Sequence, residues 1–186
     1  TYTFKVAETT QQPDPANGWT YDNSEKEITV VVSAGQNGQL TAVVTGNNPK
    51  IVNKYETSSI TLSEENENAL KVQKTVTGAP TTTDFGFTAA FDVEASGRAD
   101  EPGSINGIQG ATGNSFTLNA NVSADFEEND AAKTASFGEV TFTAPGTYIF
   151  RVTENAPAAD EGWTFDSTTK TITVVVTDNN QGSLVA

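Results

Sequence analysis

The feature that most constrains this chain is an internal repeat. Thr1-Tyr2-Thr3-Phe4-Lys5-Val6-Ala7-Glu8 returns as Thr147-Tyr148-Ile149-Phe150-Arg151-Val152-Thr153-Glu154, 146 positions later. Gly18-Trp19-Thr20-Tyr21-Asp22 returns as Gly162-Trp163-Thr164-Phe165-Asp166, and Ile28 to Val32 returns letter for letter as Ile172 to Val176, both 144 positions later. Gly38 and Leu40 match Gly182 and Leu184. A fixed period in unchanged order means that one structural unit is used more than once, so the other signals are read unit by unit. Residues 1–55 read as the back half of one unit, and residues 70–186 as a second unit that stops short of its last strand. The stretch 56–69 is polar, acidic and free of aromatic residues, and reads as an exposed linker.

Inside the units, apolar and polar residues alternate with a period of two, and Val, Thr, Phe and Tyr are abundant, the pattern of half-buried strands. Strands are predicted over 70–77, 85–93, 115–122, 138–143, 147–154 and 171–177, and in the first unit over 27–33, 39–45 and 50–55. Gly, Asn, Asp and Pro punctuate them, as in Ala144-Pro145-Gly146. The one weak helical candidate is Ala124 to Lys133. The fold class is all-β, with sandwich units in tandem.

Composition removes whole classes of chemistry. The 186 residues carry 24 acidic and 10 basic side chains, a net charge of -14, which argues against nucleic acid and anionic membranes as partners. With no His, no Cys and no Met, Ser-His-Asp and Cys-His machinery, the usual zinc sites and disulfides are all excluded. No run approaches a membrane span, so no membrane insertion is expected. The acidic clusters Glu64-Glu65-Asn66-Glu67, Asp125 to Asp130 and Asp178-Asn179-Asn180 lack the spacing of a calcium loop and read as solvated loops; no metal and no cofactor are expected. Trp19 and Trp163, repeat equivalents, read as caps on the sandwich rather than as a sugar platform.

Three residue types break the parity rule. Residues of one parity share a face of a strand. Lys74 falls in a row with Leu70, Val72 and Val76; Glu154 ends the row Tyr148, Phe150, Val152; and Glu8 ends its copy Tyr2, Phe4, Val6. Asn53 shares parity with Ile51 and Tyr55. An unpartnered buried amide alone costs about 1–3 kcal/mol, and a buried charge costs more, so these groups need partners. The bland resolution puts their polar heads at strand ends, paired or in water. The sharper one is covalent. Burial disfavours an ammonium and leaves a nucleophilic amine, while a buried carboxylic acid can polarise an amide carbonyl and carry a proton to departing ammonia. Lys and Asn treated this way give an isopeptide bond.

Leu70-Lys71-Val72-Gln73-Lys74-Thr75-Val76-Thr77-Gly78, Phe85-Gly86-Phe87, Phe137-Gly138-Glu139-Val140-Thr141-Phe142, Pro145-Gly146-Thr147-Tyr148 and Val152-Thr153-Glu154 are similar to the isopeptide-forming repeats of Gram-positive backbone pilins and surface adhesin stalks. Val52-Asn53-Lys54-Tyr55 resembles the closing strand of such a repeat. The resemblance implies an immunoglobulin-like, pilin-type β-sandwich in which a first-strand Lys joins a last-strand Asn beside a Glu. Carried over by position, the Lys is Lys74, the catalytic Glu residues are Glu154 and Glu8, and the Asn is Asn53. Lys74 and Glu154 belong to the second unit, whose closing Asn is expected beyond Ala186. Glu8 and Asn53 belong to the first, whose Lys is expected before Thr1. The chain is therefore expected to be a piece of a longer array, or else Asn53 completes a unit other than its own through a bond to Lys74.

The resemblance implies a secreted structural protein of the cell wall, the shaft or stalk of a Gram-positive pilus or adhesin. Its partners would be neighbouring repeats or subunits of the same protein, and its only catalysis the formation of its own cross-link. The competing expectation is an adhesin module for a host glycan or surface receptor, for which the Gly-rich stretch Glu94 to Asn114 is the candidate loop.

Overall fold

Period-two alternation becomes strand wherever it is strong, and the protein is all-β and immunoglobulin-like. The computed structural model describes residues 1–10, 17–78, 83–122, 126, 132–155, 162 and 164–186. These divide into two compact units, Thr1–Glu56 with Asn180–Gly182, and Thr57–Asn179 with Ser183–Ala186.

The first unit contains β1 (Tyr2–Val6), β2 (Trp19–Thr20), β3 (Lys26–Ala34), β4 (Leu40–Thr45) and β5 (Lys54–Tyr55). β3 is the centre of an antiparallel sheet between β1 and β4, with Tyr2 opposite Val30 and Phe4 opposite Ile28. β2 and β5 form a separate short ladder, Trp19 opposite Tyr55. The predicted strand over 50–55 is thus confined to its last two residues.

The second unit contains β6 (Ile60–Leu62), β7 (Lys71–Lys74), β8 (Phe85–Phe91), β9 (Gly97–Arg98), β10 (Glu101–Pro102), β11 (Thr117–Val122), β12 (Lys133–Ser136), β13 (Val140–Phe142), β14 (Gly146–Asn155), β15 (Lys170–Asp178) and β16 (Leu184–Val185). β14 organises the main sheet. One of its edges pairs with β15; the other is shared by β9 near Gly146 and by β8 from Phe150 to Asn155. β11 extends the sheet beyond β8, and β16 beyond β15. The ladders β7–β12 and β6–β13 supply further strands. Residues of one parity, Phe87, Ala89 and Phe91 on β8, Tyr148, Phe150 and Val152 on β14, and Val174 and Val176 on β15, meet Leu62, Leu70, Val140 and Phe142 in a single apolar core. The Tyr148 hydroxyl donates to the Ala144 carbonyl at 2.8 Å, so burying this ring leaves no polar atom unpaired.

The two units share a register: Tyr148 opposes Val174 and Phe150 opposes Ile172, as Tyr2 opposes Val30 and Phe4 opposes Ile28. Their environments differ. Tyr148 and Phe150 are 0% exposed, whereas Tyr2 and Phe4 are 62% and 54% exposed. What buries the former is the packing of β6–β8 and β11–β13, which have no counterpart among the described residues of the first unit.

Two expectations need correction, and one strand was not predicted. The stretch 56–69, read as an exposed linker, carries β6, which pairs with β13 and buries Leu62. Its short Ile-Thr-Leu alternation lies beside an acidic run that dominates the average. Glu94 to Asn114, read as an unpatterned loop, holds the β9–β10 ladder and places Ile105 and Ile108 in the core. β12 was hidden by the polar composition of Lys133-Thr134-Ala135-Ser136. The weak helical candidate Ala124 to Lys133 lies outside the described residues apart from Phe126, Ala132 and Lys133, and Lys133 opens β12.

Candidate functional site

In the second unit, β7 and β14 place a cation and a carboxylate side by side in an apolar setting. Lys74 is the last residue of β7, and Glu154 follows Val152 in the inward row of β14. Lys74 Nζ lies 2.6 Å from Glu154 Oε1, with the two side chains only 14% and 4% exposed. The Phe85 ring lies under the ammonium, 4.5 Å from centroid to Nζ. Such a pair is costly to desolvate unless each group finds hydrogen bonds. Glu154 has a second one, because Oε2 accepts the backbone N–H of Asp166 at 3.2 Å. A groove of about 250 Å³ opens beside these groups, lined by Lys74, Glu154, Asp166 and Thr168 among others.

In the first unit, the equivalent carboxylate holds an amide. The side-chain N–H of Asn53 donates to Glu8 Oε1 at 2.9 Å, and Asn53 Oδ1 accepts the backbone N–H of Asp22 at 3.0 Å. The β2–β5 ladder explains the meeting: continuing its antiparallel register beyond Thr20 and Lys54 brings Asp22 to Val52 and Asn53. Val52 N–H donates to Asp22 Oδ2 at 3.3 Å, which ties the chain before Asn53 to the same residue. Glu8 Oε2 is buried and, among the described residues, has no hydrogen-bond partner. Asn53 departs from the inward position that parity assigns it and is exposed, since it precedes the two-residue β5 rather than lying within a long strand.

The structure therefore brings Lys74 to Glu154 and Asn53 to Glu8, each pair within its own unit. Read through the repeat, the pairs are complementary. The Glu at one position holds an amine in the second unit and a carboxamide in the first.

Sequence reasoning missed a third participant. Asp22 and Asp166 are repeat equivalents, followed two positions on by Ser24 and Thr168 and four positions on by Lys26 and Lys170. Thr168 N–H donates to Asp166 Oδ1 at 2.9 Å, and Lys170 Nζ lies 3.1 Å from Oδ2. Ser24 N–H donates to Asp22 Oδ1 at 3.0 Å, the Ser24 hydroxyl donates to the same oxygen, and Lys26 Nζ lies 3.3 Å from Oδ2. The Thr168 hydroxyl and amide, with Lys170, hold the Asp166 carboxyl down at about 2; the Ser24 pair, helped by Lys26 and the Val52 amide, lowers Asp22 further. The signal was present in the aligned repeat as D-x-[ST]-x-K. Trp19, half-exposed, packs on Tyr21 and Tyr55 at 6.3 and 5.1 Å, while Trp163 lies outside the described residues.

A family model for an FctA, Spy0128-like isopeptide containing domain matches residues 1–56 and 70–186. No curated protein matches, and no solved structure does.

Proposed function

Because the chain belongs to the FctA family of Spy0128-like isopeptide-containing domains, we propose that it is a shaft or stalk segment of a Gram-positive pilus or adhesin, secreted and held at the cell wall. Its units are stapled by Lys-Asn bonds that they form themselves, and the chain acts on no external substrate. Neighbouring repeats or subunits of the same protein are its partners. The observation that carries this reading is the Lys74–Glu154 pair, 2.6 Å apart and nearly dry.

The chemistry follows from the two half-sites. Lys74 Nζ, as the free amine, attacks the side-chain carbonyl carbon of an asparagine held as Asn53 is held. The C–N bond to the amide nitrogen breaks, ammonia leaves, and Glu154 carries the proton lost by the amine to the departing nitrogen. An amine and a primary amide thus become a secondary amide and ammonia, with no oxidant or cofactor. Glu8 would serve in the same way for Asn53.

A peptide of residues 47–57, carrying Asn53, supplies the carboxamide in trans. Incubated with the Asn53→Ala chain, it is expected to give a covalent adduct at Lys74 whose mass is the sum of the two less about 17 Da. Lys74→Arg and Glu154→Gln should abolish the adduct. A wild-type Lys74 site that binds the peptide and never loses ammonia would refute the reading.

A further inference from the structure

Bond formation at an amide carbon puts negative charge on the carbonyl oxygen, and an acid that serves only the nitrogen side leaves that oxygen unattended. In the first unit, one donor meets it. Asp22 N–H points at Asn53 Oδ1 from 3.0 Å, while Glu8 Oε1 accepts from the nitrogen end of the same carboxamide at 2.9 Å. In the second unit the equivalent N–H, that of Asp166, rests on the catalytic carboxylate itself. The same amide thus reaches the reacting groups in both units, and where a carboxamide is present its oxygen takes the donor.

The donor is held in place. The Asp22 carboxylate accepts from the Ser24 amide and hydroxyl and pairs with Lys26, which fixes the turn that aims its N–H. It also accepts from Val52 N–H, so donor and carboxamide are anchored to one residue. Asp166 has the same turn, formed with Thr168 and Lys170.

We propose that the backbone N–H of this aspartate, Asp166 in the second unit and Asp22 in the first, is the oxyanion donor of isopeptide formation, and that its side chain is a positioning group that aims it. The inference rests on the isopeptide reading given above. In the tetrahedral intermediate formed when Lys74 Nζ adds to the carboxamide carbon, the oxygen carries the charge and takes the Asp166 hydrogen bond. Expulsion of ammonia restores the carbonyl, still bonded to the same N–H.

The test separates rate from binding. Single-turnover adduct formation with the 47–57 peptide is followed by intact mass, and docking by anisotropy of the labelled peptide on Lys74→Arg chains, which cannot react. Asp166→Pro removes the N–H and is expected to slow bond formation about 100-fold, the typical loss of one oxyanion donor, with peptide affinity unchanged within about threefold. Asp166→Ala keeps the N–H but frees its turn, and should slow the reaction about tenfold; Asp166→Asn, which retains the turn, should stay near the wild-type rate. If Asp166→Pro does not fold, an ester in place of the Asp166 backbone amide removes the same N–H and should slow bond formation to a similar extent, which keeps the test decisive. A wild-type rate in the variant that lacks the Asp166 N–H, or a loss confined to docking, would overturn the donor role and leave the isopeptide reading intact; a wild-type rate in Asp166→Ala would overturn the positioning role of its side chain. Absence of adduct in the unmodified site would overturn the isopeptide reading first.

Discussion

Removing the Glu154 carboxylate isolates the energetics of the site. Lys74 would keep its position at the end of β7, 14% exposed, with the Phe85 ring 4.5 Å from Nζ and no carboxylate at 2.6 Å. Breaking a buried pair from one side costs about 3–5 kcal/mol. The cation–π contact to Phe85 is present with or without the carboxylate and cancels in the difference. The Asp166 N–H also loses its acceptor, at a further cost of about 1 kcal/mol. Glu154→Ala should therefore destabilise the second unit by about 4–6 kcal/mol, which at a urea slope of about 2 kcal/mol/M lowers its midpoint by about 2–3 M. Urea titration read by hydrogen exchange in β8 and β14 assigns the transition to the correct unit. Replacing both partners, Lys74→Met with Glu154→Leu, should recover stability to within about 1 kcal/mol of the parent, because no charge is then buried alone. A loss below about 1 kcal/mol in Glu154→Ala, the value for solvent-exposed pairs, would show that the pair is not dry and would remove the physical basis for an activated amine.

Further outcomes are expected in the same unit. Tyr148→Phe leaves the Ala144 carbonyl without its 2.8 Å donor and should cost about 1–3 kcal/mol by urea unfolding. A Cβ at Gly107 would fall 1.8 Å from the Tyr148 hydroxyl, so Gly107→Ala must displace that ring; a loss of about 1–3 kcal/mol or more is expected, and it should not add fully to that of Tyr148→Phe. Asp166 has its carboxyl held at about 2 in the fold against an ordinary 3.8. Its stabilising contribution is complete above about pH 4 and disappears as pH falls through 2, and Asp166→Asn should flatten the acid limb of stability against pH over that window. In the first unit, amides of β1, β3 and β4 should exchange with solvent hydrogen faster than those of β14 and β15, since Tyr2, Phe4, Leu40 and Val43 lack the cover that buries the β14 row.

Most of the fold was legible because the apolar rows are long. The runs from Tyr148 to Val152 and from Thr173 to Thr177 are rich in aromatic and β-branched residues and bounded by turn residues, and the same parity that buried Tyr148 and Phe150 pointed to Glu154. Lys74 was legible because its parity row, Leu70, Val72 and Val76, runs past both ends of the four-residue β7. Where a strand is two to four residues long or polar, as in Ile60–Leu62 and Lys133–Ser136, parity has too few positions to register, and tertiary pairing with β13 and β7 decides instead. Asn53 was misplaced for that reason: its setting comes from the β2–β5 ladder and the clamp of Asp22, both formed between segments far apart in sequence. The Asp22 and Asp166 amides were invisible to any side-chain pattern because the acting group is backbone. Only the recurrence of Asp, Ser or Thr, and Lys at the repeat offset marked the turn that orients them.

The position of Lys74 in the sheet gives the proposed cross-link its mechanical meaning. β7 is held by four ladder pairs, Lys71 to Lys74 against Ser136 to Lys133, and it belongs to a two-stranded ladder rather than to the main sheet. Hydrogen bonds contribute about 1 kcal/mol each, and a short ladder yields them one at a time when its end is pulled. Lys74 ends β7, so a load entering from the preceding segment through Leu70 runs along β7 to this side chain, and the strands from β8 onward lie behind it. The proposed bond from Nζ would pass that load on through covalent atoms and leave the core of Phe87, Tyr148 and Phe150 out of its path. Lys71 and Gln73, of the other parity, face away from that core. The apolar row and the force path thus point to the same residue: on the reading proposed above, Lys74 is the buried amine at which a staple would take the load from a short ladder.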